Sequence, residues 1–260
     1  MTPTLEPSDT SYPMHDFSIS PSRWTRHHIA ALKVRYITLS SSPLEPVFPA
    51  GLLDALCDPP ESPPIWHVDV LRRISVYSEL LSDDPAFGFA QASGLVSDLF
   101  YYFSISEESS SLCWTDYTGK LDMCEHTIQH GNMKARWFSK ATGFWKETDI
   151  PKAVVIQVDE KRPKWAQETA CLLAMAQIAI RAGEMEWTPV VLSVKGTKGA
   201  VVTATVDKQY LSDVEVLPGR PLNNGLQVEA QSWGLEEEHG RLEFAKAVWR
   251  TLKRDSNCSQ

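Results

Sequence analysis

The chain has 260 residues, of which 43% are hydrophobic and 22% are charged, a composition typical of a globular protein with its own core. Its formal net charge of −8 disfavours binding to nucleic acid through bulk electrostatics, because such binding draws on neutralised phosphates. No apolar run approaches the roughly 18 residues needed to span a bilayer, so we expect no membrane partner.

The first residues and the cysteines predict an intracellular protein, either cytoplasmic or nuclear. The N-terminal stretch is acidic, contains prolines and lacks the basic and apolar regions of a secretory signal. The five cysteines are odd in number and follow no framework spacing. We therefore expect reduced thiols rather than disulfides.

The N-terminal part of the chain predicts mainly helices. Residues 1–22 are rich in Ser, Thr and Pro and are predicted to be disordered or loosely attached. Residues 23–104 predict a short helix led by Ser22, a brief strand-like run, an irregular proline-rich stretch over 40–64, and two longer helices. Asp83 or Asp84 is the expected cap of the second long helix.

Residues 105–254 predict an α/β core, followed by a tail over 255–260. The expected elements, in chain order, are a strand or hairpin in SLCWTDYTGKLDMCEHTI, a short strand pair in NMKARWFSK and GFWKE, a clear strand KAVVIQV, a helix KWAQETACLLAMAQIAIRAG that stops at Gly183, two strands joined by the turn at Gly196 to Gly199, and a closing helix EEEHGRLEFAKAVWRTLKR. This order predicts a mixed central sheet flanked by helices.

A charged cluster follows the clearest strand. Side chains alternate along a strand, so Gln157, Asp159 and Lys161 share one face. A carboxylate there can hold Mg²⁺, and a neighbouring lysine can orient water or neutralise a phosphate. Asp116, on a neighbouring strand with Asp122 behind it, is the expected second carboxylate. The alternatives are a strand end that reaches solvent and, for Asp116, an aspartate that bonds nearby turn amides.

These motifs resemble the PD-(D/E)XK nuclease superfamily, and in particular a fungal branch of it. The TDY at 115–117 is similar to the Asp-Tyr of that branch's first core strand. VVIQVDEKR is similar to its Ile-Glu-x-Lys strand, with Asp159 in the acidic place and Lys161 matching the lysine. KWAQETACLL is similar to the next helix, where Gln167 or Glu168 takes the place of a common Gln.

The resemblance covers most of the chain from about residue 22 and implies both a fold and a site. The implied fold is a restriction-endonuclease-like mixed sheet with an N-terminal helical extension. The implied site uses Asp116 and Asp159 as Mg²⁺ ligands, with Asp116, Asp159 and Lys161 as its catalytic residues.

The chain also departs from the family pattern. The family often places a Glu on the helix before the first acidic strand, where this chain has the neutral Gln91, with Asp98 two turns further on. Asp159 is also shorter than the more usual Glu. These departures are expected of a site that has lost its nuclease chemistry or acquired another.

Three functions therefore stay open. The first is a Mg²⁺-dependent phosphodiesterase, a nuclease-like hydrolase acting on nucleic acid. The second is a cofactor-free isomerase or cyclase that acts on a small apolar molecule in fungal specialised metabolism, by positioning and general acid–base help. The third is a non-catalytic interaction module. We expect Gln157, Trp114, Trp145 and Arg162 to contact the substrate in an active protein.

A zinc site is a further alternative in the middle of the chain. Cys124, His126 and His130 are ligand types that zinc prefers, but they have no clear fourth partner. A polar hairpin or loop is the favoured interpretation of this segment.

Overall fold

The computed structural model describes eleven stretches of the chain. They are residues 24–39, 51–57, 69–83, 88–105, 112–115, 119–122, 136–139, 141–145, 151–158, 164–215 and 222–253. The predicted N-terminal segment over 1–22 and the tail over 255–260 lie outside them.

Helices and strands alternate along the described residues. The helices are α1 (Arg26–Ala31), α2 (Leu52–Leu56), α3 (Asp69–Asp83), α4 (Gly88–Ile105), α5 (Lys164–Arg181), α6 (Lys208–Glu215) and α7 (Glu238–Lys253). The strands are β1 (Val34–Thr38), β2 (Leu112–Thr115), β3 (Gly119–Asp122), β4 (Arg136–Ser139), β5 (Ala141–Trp145), β6 (Pro151–Gln157), β7 (Glu186–Trp187), β8 (Val190–Lys195), β9 (Lys198–Thr203), β10 (Val206–Asp207) and β11 (Leu226–Gly234).

A mixed sheet forms the centre of the fold. Its seven strands follow the order β1-β11-β9-β8-β6-β5-β2. The pairs β1–β11 and β6–β8 are parallel, and the other neighbours are antiparallel. The helix α5 makes the crossover between the parallel strands β6 and β8, as parallel pairing requires. The predicted mixed α/β architecture is confirmed.

Two hydrophobic cores cover the two faces of this sheet. Val154, Ile156 and Val158 pack with α5 and α1 on one face, whereas Ala153 and Val155 pack with α2, α3, α4 and α7 on the other. Because β6 is buried on both faces, its sequence is a continuous apolar run rather than an alternating one. The side chains nevertheless point alternately to the two faces of the sheet, and this predicted alternation of direction is confirmed over the described residues of the strand.

The N-terminal elements differ from the prediction in three places. Asp83, one of the two expected caps of the second long helix, instead ends α3, and α4 begins at Gly88. The first helix begins after Thr25, not Ser22: the Thr25 amide donates to His28 Nδ1 at 2.9 Å and caps the first turn. The proline-rich stretch predicted to be irregular contains the short helix α2, which buries Leu52, Ala55 and Leu56. Burial of three apolar side chains stabilises a helix whose sequence carries only weak local signals.

Strand pairing in the middle of the chain also differs. β2 and β3 do not form a hairpin, because β2 pairs with β5 and β3 pairs with β4 in a separate sheet. The predicted pair of β4 and β5 is therefore wrong. The strand β11 and the helix α6 were not predicted. Short strands acquire their partners from tertiary packing, and local periodicity does not specify those partners.

The longest periodic segments match the prediction. The helix α5 ends before Gly183, which adopts a positive φ of 115° as a C-terminal cap. The turn after Lys195 uses Gly196 at φ 59° and joins β8 to β9 as an antiparallel pair. Among the helices that the structure describes, none is long and apolar enough to cross a bilayer.

Candidate functional site

The structure describes only part of the predicted site. The four charged candidates Asp116, Asp159, Lys161 and Arg162 lie outside the described residues. Trp114 lies on β2 opposite Gly143, and Trp145 lies on β5 opposite Leu112. The zinc candidates Cys124, His126 and His130 also lie outside the described residues.

The described strands next to the charged candidates end at one side of the sheet. Both β2 and β6 are antiparallel to β5, so they run in the same direction. The strand β8 is parallel to β6 and ends beside it. We call this side, where β6 ends at Gln157 and β8 ends at Lys195, the β6–β8 edge. Ligands of open α/β sheets bind at the carboxyl ends of such strands.

Uncharged polar groups occupy the α4 face of the β6–β8 edge. The Gln157 side chain is half-buried and donates from Nε2 to Ser93 Oγ on α4. The helix α4 starts at this edge, because Gly88 lies against Thr197 in the turn after β8. Gln91 has a buried Oε1 for which the described part of the chain supplies no hydrogen-bond donor. This face is therefore rich in amide and hydroxyl groups.

Asp98 forms an ion pair with Arg73. Its carboxylate accepts two hydrogen bonds from Arg73 on α3, at 2.8 Å from Nε and 3.0 Å from Nη2. This is the two-pronged geometry that the guanidinium group favours. Of the two residues considered for the acidic helix position, Asp98 thus serves the α3–α4 contact, and Gln91 is the one near the edge.

A buried carboxyl lies on the opposite, α5 face of the same edge. Glu168 is fully buried in the second turn of α5, and Ser193 Oγ on β8 donates to its Oε1 at 2.5 Å. Ser193 is level with Ile156 on β6, so the pair lies close to the point where β6 ends. Oε2 of the same carboxyl has no hydrogen-bond partner among the described residues.

Tyr36 connects this carboxyl to the edge strand β1. Its hydroxyl donates to the Trp165 carbonyl at 2.8 Å and lies 3.0 Å from Thr169 Oγ1. Burial, and next the nearby Glu168 carboxyl, raise the pKa of the Tyr36 hydroxyl well above its usual value. A neutral tyrosine therefore ties β1 to the first turns of α5.

Burial raises the pKa of the Glu168 carboxyl above its ordinary value. Lys164, Ser193, Tyr36 and Lys195 each favour the charged form and offset part of this effect. Both lysines are half-buried. A group whose burial and charged neighbours act in opposite directions is a candidate for function at such an edge.

Sequence reasoning named Glu168 but missed its partners. Ser193 is the one hydroxyl in the apolar strand VVLSV, and a buried polar group in such a strand indicates a specific partner. Tyr36 carried no comparable signal, because its contact with α5 depends on the parallel pairing of β1 and β11. Ser93 lies on an apolar helix and carried only a weak one.

Side chains of metal-ligand type do not cluster among the described residues. Among them, no group of three or more His, Cys, Asp and Glu side chains comes together. The Mg²⁺ ligands implied by the sequence are oxygen donors of the type that this ion prefers, and both follow strands that end on the same side of the sheet.

Comparison with known proteins identifies no relative, so a function has to be inferred from the chemistry of the site. No protein-family model matches the chain, and no curated protein matches it.

Proposed function

We propose that this protein is a metal-dependent phosphodiesterase with a restriction-endonuclease-like core. Asp116 and Asp159 would hold Mg²⁺, and Lys161 would orient the attacking water and neutralise the phosphate. When bound, the ion would polarise the phosphodiester oxygens and lower the pKa of a bound water. The substrate class is nucleic acid.

One observation carries this proposal. The strands β2 and β6, which lead in the sequence into Asp116 and into Asp159-x-Lys161, run in the same direction within one sheet. Apart from β3, β4 and β7, which belong to two separate small sheets, the elements follow the order α4-β2-β5-β6-α5-β8, that is a helix, three antiparallel strands, a crossover helix and a parallel strand. That order supports the family resemblance.

The register of β2, β5 and β6 shows how far apart the ends of β2 and β6 are along the sheet. Thr115 is level with Thr142, which is level with Val154, so β6 runs three residues beyond the level where β2 ends. Three strand residues span about 10 Å, whereas two oxygens on one Mg²⁺ lie within about 4 Å of each other. The residues after β2 must therefore turn toward the end of β6 for both carboxylates to bind one ion.

Basic residues at the same edge support an anionic substrate despite the negative net charge. Lys164 begins α5, Lys195 ends β8, and the exposed Lys198 begins β9. Local positive potential can attract a phosphodiester even on an acidic protein, because salt ions at 0.1 M largely screen charges that lie more than about 10 Å away.

A calorimetric titration of Mg²⁺ and Mn²⁺ tests the proposal. We expect the wild type to bind metal and Asp159→Asn to lose that binding, while Asp83→Asn, an exposed acid at the end of α3, keeps it. Lys161→Met should bind metal and fail to cleave single- or double-stranded DNA. Absence of metal binding by the wild type at millimolar concentrations would refute the proposal.

A second function is favoured by one specific observation. The α4 face of the edge presents Gln91, Ser93 and Gln157 in the described residues, and Asp98 is bound to Arg73. Neutral donors and acceptors of this kind suit a small, uncharged substrate better than a phosphate. A cofactor-free isomerase or cyclase is therefore the alternative, and it predicts no metal binding in the same titration.

A further inference from the structure

The Glu168 carboxyl has no role in the phosphodiesterase chemistry proposed above. It lies on the opposite face of the sheet from Gln157, since Ser193 is level with Ile156 and not with Gln157. Burial of this carboxyl also costs free energy, because burial disfavours the charged form unless hydrogen bonds and counter-charges compensate. Ser193, Tyr36 and the two lysines compensate in part, and Oε2 has no hydrogen-bond partner within the described residues.

Two lysines flank this carboxyl at the β6–β8 edge. Lys164 lies one helical turn before Glu168 on α5, and Lys195 lies two residues after Ser193 on β8, so their backbones approach Glu168 from the helix and from the sheet. Both act electrostatically on the carboxyl. Among the described residues, Tyr36 is the further titratable group that acts on it, whereas β6 presents the apolar Ile156 and Val158 on this face.

We propose that Glu168 is a positioning residue of the β6–β8 edge, whose protonation state sets how strongly Lys164 and Lys195 attract a phosphodiester. The inference rests on the proposed function, because it assigns these two lysines to the backbone of the nucleic acid substrate. When Glu168 is protonated, its carboxyl does not offset the positive charge of either lysine. When it ionises, its negative charge offsets part of theirs.

Equilibrium binding in EDTA tests the inference without the metal. Anisotropy of a fluorescein-labelled single-stranded DNA oligonucleotide is measured across the pH range in which the protein stays folded. We expect the wild type to bind about two- to fivefold more weakly at high pH than Glu168→Gln does, as expected for one partly screened charge. At low pH the two proteins should bind equally.

Matched variants separate a local effect from a general charge effect. Glu184→Gln removes the same charge from an exposed position beyond the end of α5, and it should keep the wild-type pH dependence. Lys164→Gln alters a half-buried surface lysine, so it tests the same site without opening the core. It should weaken binding and reduce the difference between low and high pH.

The outcomes distinguish this inference from the proposed reaction. Equal pH dependence in the wild type and Glu168→Gln overturns the positioning role, even where metal binds through Asp159. Oligonucleotide binding that follows Glu168 in a protein that binds no Mg²⁺ refutes the metal-dependent reaction and keeps the positioning role. Absence of oligonucleotide binding by the wild type at every pH overturns the inference.

Discussion

Ser193 on β8 and Glu168 on α5 are joined by a 2.5 Å hydrogen bond from Oγ to Oε1, between two side chains that are almost wholly buried. The bond links the sheet to the crossover helix directly beside the end of β6. Short hydrogen bonds to a carboxyl are among the stronger ones in proteins. A polar link placed here holds the helix and the sheet in one relative position at the candidate site.

Stability should fall as pH rises because of Glu168. Its pKa is raised in the folded protein, so the folded state binds a proton more tightly than the unfolded state does. The stabilising contribution is then complete below the unfolded-state pKa and is lost as pH rises through the folded-state pKa. Urea unfolding across a pH series measures this effect.

In that series, Glu168→Gln should show a flatter profile and a growing advantage over the wild type as pH rises. Glu184→Gln is the control, because its carboxylate is exposed. Parallel stability profiles for the wild type and Glu168→Gln would contradict the assignment of a raised pKa to this carboxyl.

The Ser193 hydroxyl should contribute measurably to stability. Ser193→Ala removes the donor to Glu168 and leaves a buried carboxyl oxygen unsatisfied, so we expect a loss of about 1–3 kcal/mol in the free energy of unfolding. Ser232→Ala, at an exposed position on β11, should change it by less than about 0.5 kcal/mol. A double-mutant cycle with Glu168→Met checks that the loss belongs to this pair, and zero coupling energy would refute it.

Arg241 should be a main support of the α2–α7 region. This fully buried guanidinium on α7 donates to the carbonyls of Leu56, Leu235 and Glu236 and to Ser82 Oγ, at 3.0–3.1 Å. Arg241→Met would leave several buried acceptors without a donor, and we expect a loss of about 3 kcal/mol.

The control for Arg241 is the exposed Arg72 on α3, where substitution by Met should cost less than about 0.5 kcal/mol. Chemical denaturation of both variants makes the comparison. Similar small losses in the two variants would show that the carbonyl contacts of Arg241 contribute little net stability.

Gln91 and Asp98 should respond differently in a metal titration. Gln91→Glu adds a carboxylate on the α4 face of the β6–β8 edge, and the proposed function predicts a severalfold gain in Mg²⁺ affinity, since carboxylate oxygens are the ligands Mg²⁺ prefers. Asp98→Asn should leave the affinity unchanged, because this carboxylate is bound to Arg73. A loss of metal binding in Asp98→Asn would instead place Asp98 at the ion.

Long periodic segments were predictable from local sequence. The strand β6 and the helix α5 were identified from an apolar run and an Ala- and Leu-rich helix that ends before Gly183, because backbone propensity, burial and capping act together there. The short strands β4 and β5 were identified as strands but assigned to each other. Instead, β4 pairs with β3, and β5 pairs with β2 and β6, because residues far away in the sequence determine a strand's partner.

The candidate site, too, was predictable from the sequence only in part. Sequence alone predicted that side chains alternate along β6, because alternation is a property of one strand. The structure confirms this up to Val158, and the predicted continuation to Asp159 and Lys161 lies outside the described residues. Only the tertiary structure decided that Asp98 is bound by Arg73, that Gln157 donates to Ser93, and that Ser193 and Tyr36 meet Glu168. These contacts join residues that are 25 to 132 positions apart in the chain, and the packing of helices on a sheet creates them.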